Sequence, residues 1–142
     1  KSVKYSMFMA DNLTIEQRSK TMSRIRSKWT SQERKIHNYF KGNKIKHKMH
    51  PKIVGSPDLI FENTKTAVFL HGCFWHKCPK CYIKPKTNKK YWLPKIEANV
   101  KRDRKNNKIL KRTGFKVVRI WEHETKRSFN KVLKRLLKYG QS

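Results

Sequence analysis

Three cysteines crowd one short stretch of this chain, Cys73, Cys78 and Cys81, and they constrain its fold more than any other feature. The stretch Phe69-Leu70-His71-Gly72-Cys73-Phe74-Trp75-His76-Lys77-Cys78-Pro79-Lys80-Cys81 also holds two of the six histidines, in a chain otherwise rich in lysine. Four residues between the first two thiols and two between the second pair is a spacing that wraps backbone around one soft metal ion. A closed zinc site takes four nitrogen or sulfur ligands in a tetrahedron, so one ligand is missing. His71 and His76 are near in sequence, but His123 is the better candidate if the strand that carries it runs beside this loop. A disulfide is the weaker rival: the cysteine count is odd, there is no secretory segment, and Cys78 and Cys81 are too close for easy closure.

The charge narrows the partner. Lysine and arginine number 37 against 9 acidic residues, a formal net charge of +28. Such a field attracts polyanions, and nucleic acid is the expected ligand, with counterion release driving much of the affinity. A hydrophobic content of 36% with four tryptophans argues against disorder. There is no long apolar run or basic amphipathic anchor, which argues against a membrane. At 142 residues a single domain with a modest core is expected over 13–142, after a loose segment over 1–12. Free thiols and no signal peptide suggest a cytosolic, DNA-facing protein.

Two capping signatures open the chain. Thr14-Ile15-Glu16-Gln17 predicts a basic helix to about Lys28, whose Arg18, Lys20, Arg24, Arg26 and Lys28 either track phosphates or form a solvated face. Thr30-Ser31-Gln32-Glu33 predicts a second helix, with Ile36, Tyr39 and Phe40 on one face and Gly42 at its end. Glu33 caps that helix, or supports a metal's hydration shell if the helix packs beside an active site. From Lys44 the pattern alternates, with Ile45, His47 and Met49 on one side, which predicts a strand. Residues 55–61 and 66–70 then read as a hairpin at the centre of a sheet. Tyr91-Trp92-Leu93-Pro94 marks a helix start with proline in the first turn, running towards Gly114. Phe115 to Trp121 reads as a strand that Glu122-His123-Glu124 leaves. Phe129, Val132, Leu133, Leu136 and Leu137 define a final amphipathic helix. The sum is an α/β fold, helices flanking a small mixed sheet.

Asp58, one of three aspartates, stands after Gly55-Ser56-Pro57 at the entrance of the hairpin. The bland reading is a salt-bridge acceptor. The sharper one is a Mg²⁺ ligand, because a large class of nucleases keeps its metal aspartate at the mouth of a buried strand. That class usually carries Glu-x-Lys on the next strand. Here the segment is Val68-Phe69-Leu70-His71, so those tasks fall to a main-chain carbonyl, His71 and His76.

Four blocks together resemble one family: Gly-Ser-Pro-Asp at 55–58, Phe-Leu-His-Gly-Cys-Phe-Trp-His at 69–76, Tyr-Trp-Leu-Pro-Lys-Ile with Asn-Val-Lys-Arg-Asp-Arg within 91–104, and Gly-Phe-Lys-Val-Val-Arg-Ile-Trp-Glu at 114–122. In this order, over roughly residues 9–125, they look like the very-short-patch repair (Vsr) endonucleases. The resemblance implies a restriction-endonuclease-like fold and a Mg²⁺-dependent nickase. It further implies a cut 5′ of the thymine in a T·G mismatch left by deamination of 5-methylcytosine. It places Asp58 on the metal aspartate, His76 on the general base, His71 on the second active-site histidine and Glu33 on a supporting glutamate. Leu70 stands where a relative has threonine, so only its main-chain oxygen can ligate Mg²⁺. Phe74, Trp75 and Trp92 fall on aromatics that wedge into the duplex. Cys73, Cys78, Cys81 and His123 fall on structural zinc ligands, His123 in place of a residue that can be cysteine. Arg24, Lys95 and Arg102 are the expected phosphate contacts. A monomeric, prokaryotic, cytoplasmic and nucleoid-associated protein is expected, with mismatch-repair proteins as further partners. A zinc-stabilised, non-catalytic DNA-binding module is the alternative; it explains charge and cysteines but has no need of Asp58, His71 and His76.

Overall fold

A computed structural model of the chain describes residues 29–141. The expected helix over 14–28, with Arg24, and the segment 1–12 lie outside the described residues. Helix α1 spans Ser31–Gly42. It begins where the sequence says it should, because the Thr30 hydroxyl accepts the Glu33 amide at 3.3 Å and relieves one orphan N–H of the first turn. Its buried face carries Gln32, Glu33, Ile36 and Phe40.

Strand β1 is only Lys48–Met49, shorter than the alternation from Lys44 predicts. Lys44 takes a left-handed φ of 54°, the Ile45 amide is drawn back to the Phe40 carbonyl at 2.9 Å, and the His47 ring bonds the Ile45 carbonyl. Those bonds close off the helix end and leave two residues for pairing. Strand β2 spans Leu59–Phe61 and β3 spans Thr66–His71. A 3₁₀ turn at Glu62–Thr64 joins them. Every residue of β2 and β3 is buried, which is why both read as continuous apolar runs and not as alternations. Strand β4, Lys116–Trp121, completes the sheet in the order β1-β2-β3-β4. The first two pairings are antiparallel and β3 with β4 is parallel, with Leu70 opposite Ile120 and His71 opposite Trp121.

A parallel pair needs a crossover, and helix α2, Lys89–Arg112, supplies it. It starts earlier than expected, after Asn88, so Pro94 is its sixth residue and lies in the second turn. The substitution of ring for N–H forfeits the single bond to Lys90, an exposed residue whose carbonyl can turn to water. After β4, Glu122–Arg127 forms a short helix, α3, and Phe129–Gly140 forms α4. Helix α3 is additional to the elements the sequence predicts. Its start is fixed by the Trp121 amide donating to the Glu124 carboxylate at 3.1 Å.

The period-two pleat sorts side chains onto two faces. Leu59, Phe61, Val68, Leu70, Val118 and Ile120 pack against α1 and α4 through Ile36, Phe40, Val132, Leu133 and Leu136. Ile60, Ala67 and Phe69 face α2 and meet Leu110. By the same pleat His71, Arg119 and Trp121 lie on the α2 side. The observed architecture is thus the expected α/β fold, a mixed sheet between helices. No helix among the described residues is long and apolar enough to cross a membrane.

Candidate active site and metal centre

Strand β3 ends at His71, and the loop that follows is wound by its own backbone. The His76 amide donates to Gly72 at 3.2 Å, Cys78 to Cys73 at 2.9 Å and Tyr82 to Cys78 at 3.0 Å. These turns bring Cys73, Cys78 and Cys81 together, and helix α3 delivers His123 from the end of β4. The four donor atoms all lie within 4.8 Å of one another. All three cysteines are free thiols, so no disulfide forms. The His123 Nδ1 lies 3.4 Å from Cys73 Sγ and 3.6 Å from Cys78 Sγ. A tetrahedral ion with ordinary zinc bond lengths would set sulfur and nitrogen about 3.6 Å apart, so the donors already stand at the edges of such a tetrahedron. Burial, and then the crowding of the neighbouring sulfurs, pushes the Cys73 thiol up to about 12. A cation is what would make that thiolate favourable.

Asp58 is reached through a constrained turn. Gly55 has φ +96° and sits so close to α2 that a Cβ there would meet Leu110 Cγ at 2.8 Å, which only glycine avoids in both respects. Two bonds then lock Asp58 to β3: its amide donates to Val68 at 3.0 Å, and its Oδ2 accepts the Leu70 amide at 2.6 Å. Burial, helped by the charges of Glu33 and Asp103 and opposed by the Leu70 hydrogen bond, raises the carboxyl to about 7. Asp58 thus feels the charge of two further acids, Glu33 and Asp103, in a chain of +28. That accumulation fits a hard divalent cation held by oxygen ligands.

Next to it stand His71, His76 and Asp103, whose donor atoms also lie within 4.8 Å of one another. The two imidazoles stack at 4.1 Å between centroids. His71 is buried, and its Nε2 has no hydrogen-bond partner among the described residues. Burial first, and then His76, hold its pKa down at about 3, so the ring is neutral at any working pH. His76 is half-exposed, and its Nδ1 lies 2.7 Å from Asp103 Oδ2. A carboxylate on Nδ1 fixes the proton there and leaves Nε2 as an acceptor. Asp103 was given no role in the sequence, although it is the sole acid in the run Lys101-Arg102-Asp103-Arg104 of α2, and a lone carboxylate on a basic helix is a signal that could have found it.

Glu33 is buried, 1% exposed. Its Oε1 accepts the Trp29 amide at 3.1 Å and meets His50 Nε2, and its Oε2 accepts the Thr30 hydroxyl at 3.0 Å. It therefore both caps α1 and adds charge beside Asp58. His50, part of that bond set, carries no local sequence signal for this contact.

The aromatic candidates divide. Phe74 and Trp92 are 1% and 0% exposed and form a cluster with Ile96. Trp75 packs edge-on against both and remains half-buried. Of the three, then, Trp75 keeps an accessible face, while Phe74 and Trp92 are interior supports as folded here. Asn99 of α2 ties this loop down, donating to the Trp75 carbonyl at 3.1 Å. Lys95 and Arg102 are exposed on the outer side of α2.

Residues 10–82 match the family described as DNA mismatch endonuclease Vsr. The chain is 43% identical over 122 residues to the type II nicking enzyme V.NmeAIP of Neisseria meningitidis, covering 83% of this chain and 86% of that protein. It is 36% identical to V.XorIIP of Xanthomonas oryzae, with 82% and 87% covered. It is 33% identical to the DNA mismatch endonuclease Vsr of Escherichia coli, with 80% and 74% covered. On that match and these identities, the chain belongs to the Vsr family of DNA mismatch endonucleases.

Proposed function

We propose that this protein is a Mg²⁺-dependent endonuclease that nicks one DNA strand 5′ of the thymine in a T·G mismatch, as arises when 5-methylcytosine is deaminated. The observation that carries it is the cluster of His71, His76 and Asp103 at the end of β3, with the Asp58 carboxyl bonded to the Leu70 amide one residue before His71. A purely structural DNA-binding module has no use for a carboxylate beside a histidine pair at the end of a buried strand. Asp58, with the Leu70 carbonyl, would hold the Mg²⁺, which when bound supplies positive charge to the scissile phosphate. His76 Nε2 takes the proton from the attacking water, and Asp103 keeps the other ring proton on Nδ1 and steadies the imidazolium that results. Neutral His71 contributes its unpartnered Nε2 as a hydrogen-bond donor to a phosphate oxygen. Glu33 would support the ion from α1.

Cys73, Cys78, Cys81 and His123 would hold a structural Zn²⁺, stiffening the loop between two catalytic histidines. Trp75 enters the base stack where a mismatch has already weakened it, while Phe74 and Trp92 hold Trp75 in place. Lys95, Arg102 and Arg24 take phosphates, giving affinity without sequence choice. The fold is read as restriction-endonuclease-like, one domain over 13–142, acting as a monomer in the cytoplasm of a bacterium with other mismatch-repair proteins. The test is a nicking panel over T·G, other mismatches and matched duplex in one sequence. Cleavage of T·G in preference to T·A is the expected result; equal cleavage of both, or of neither, removes the reading.

A further inference from the structure

We infer that His50 is a positioning residue that holds Glu33 and Asp58 in register for cation binding. This inference rests on the metal-site reading above. One residue touches both carboxylate-bearing residues: the His50 amide donates to the Asp58 carbonyl at 2.9 Å, and its ring Nε2 bonds Glu33 Oε1. The first contact extends the β1–β2 ladder by one step, and the second reaches across to α1. To make both, His50 adopts a left-handed backbone with φ 47°. That conformation is strained for a residue with a Cβ, and surrounding structure must over-determine it. The Trp29 indole packs edge-on against the ring at 4.8 Å and fixes its plane. Thus α1 and the sheet meet at the metal site through a single imidazole, and Glu33, buried with Trp29, Thr30 and His50 as its partners, has little freedom to turn away from Asp58.

The strain makes the role separable from the fold. His50→Gly removes the ring donor yet suits the positive φ. His50→Gln keeps an amide N–H near the position of Nε2 and keeps the backbone strain. The readouts are Mn²⁺ affinity of the intact protein, by the loss of free Mn²⁺ resonance, the Mg²⁺ concentration that half-saturates nicking, and the thermal melt. His50→Gly should weaken Mn²⁺ binding and raise the Mg²⁺ requirement by roughly 10- to 100-fold, as loss of an outer-shell partner does, while melting stays cooperative. His50→Gln should restore most of both. Unchanged metal affinity in His50→Gly, equal loss in both variants, or a His50→Gly protein that no longer melts cooperatively overturns the inference while leaving the nuclease reading intact. A wild-type protein that binds no Mn²⁺ and nicks no duplex removes the functional reading itself, and this inference with it.

Discussion

Asp58→Asn should make the Mg²⁺-free protein more stable and at the same time inactive. Burial, Glu33 and Asp103 raise the folded-state carboxyl from 3.8 to about 7. That is roughly three units, and at about 1.4 kcal/mol per unit the ionised group costs on the order of 4 kcal/mol against the unfolded chain. The sign follows from proton binding. Between pH 4 and pH 7 the folded state holds a proton that the unfolded state has lost, so wild-type stability gained from this group falls as pH rises and is gone above about 7. Asparagine keeps an acceptor for the Leu70 amide and carries no charge, so the variant escapes that loss. The expected ΔΔG is near zero at pH 4 and climbs towards about 4 kcal/mol at pH 8, a large share of a domain's total of about 5–15 kcal/mol. Urea melts at several pH values measure it, with protein dialysed free of Mg²⁺ but without a chelator that would strip the cysteine cluster. The difference between the two proteins isolates Asp58, because His71, held near 3, moves both curves the opposite way between pH 3 and 6.5. A variant less stable than wild type at pH 8, or a pH-independent difference, refutes the reasoning.

Further outcomes follow from the same geometry. Purified protein should carry about one tightly held zinc per chain, and His123→Ala should lose it together with several degrees of melting temperature. Asp103→Asn should slow single-turnover nicking by roughly a hundredfold or more with DNA affinity unchanged, because it frees the His76 ring to adopt the wrong tautomer. Adding His76→Ala to it should cost little extra, and additive losses would separate the two groups. Trp75→Ala should keep folding and matched-duplex affinity but lose preference for T·G over T·A in single-turnover rates; retained preference would move discrimination to base-edge contacts.

Much of the scaffold was legible because local chemistry and burial agree. Thr30 announced α1, the spacing of Val132, Leu133 and Leu136 announced α4, and the unbroken apolar run of Thr66 to Leu70 marked the buried strand beside the site. The misses share one cause, contacts made across the fold. Helix α3 has no apolar period and is held by Glu124 on the Trp121 amide. Strand β1 shrank because Ile45 is claimed by the end of α1. Asp103 gains meaning only when α2 crosses behind His76, and His50 only when β1 brings it against Glu33. Phe74 and Trp92 flank the cysteine loop in sequence, yet α2 and its own start enclose them.

The central claim is that a cation held by Asp58 at this cluster drives strand cleavage. It is tested most directly by a Mg²⁺ jump: wild-type protein and Asp58→Asn are each bound to a T·G duplex without Mg²⁺, the ion is added, and products are followed in a single turnover. The account predicts no cut before the jump, one nick immediately 5′ of the mismatched thymine after it, and a bound but silent Asp58→Asn complex. Cleavage that precedes Mg²⁺, or that proceeds at the wild-type rate in Asp58→Asn, contradicts it.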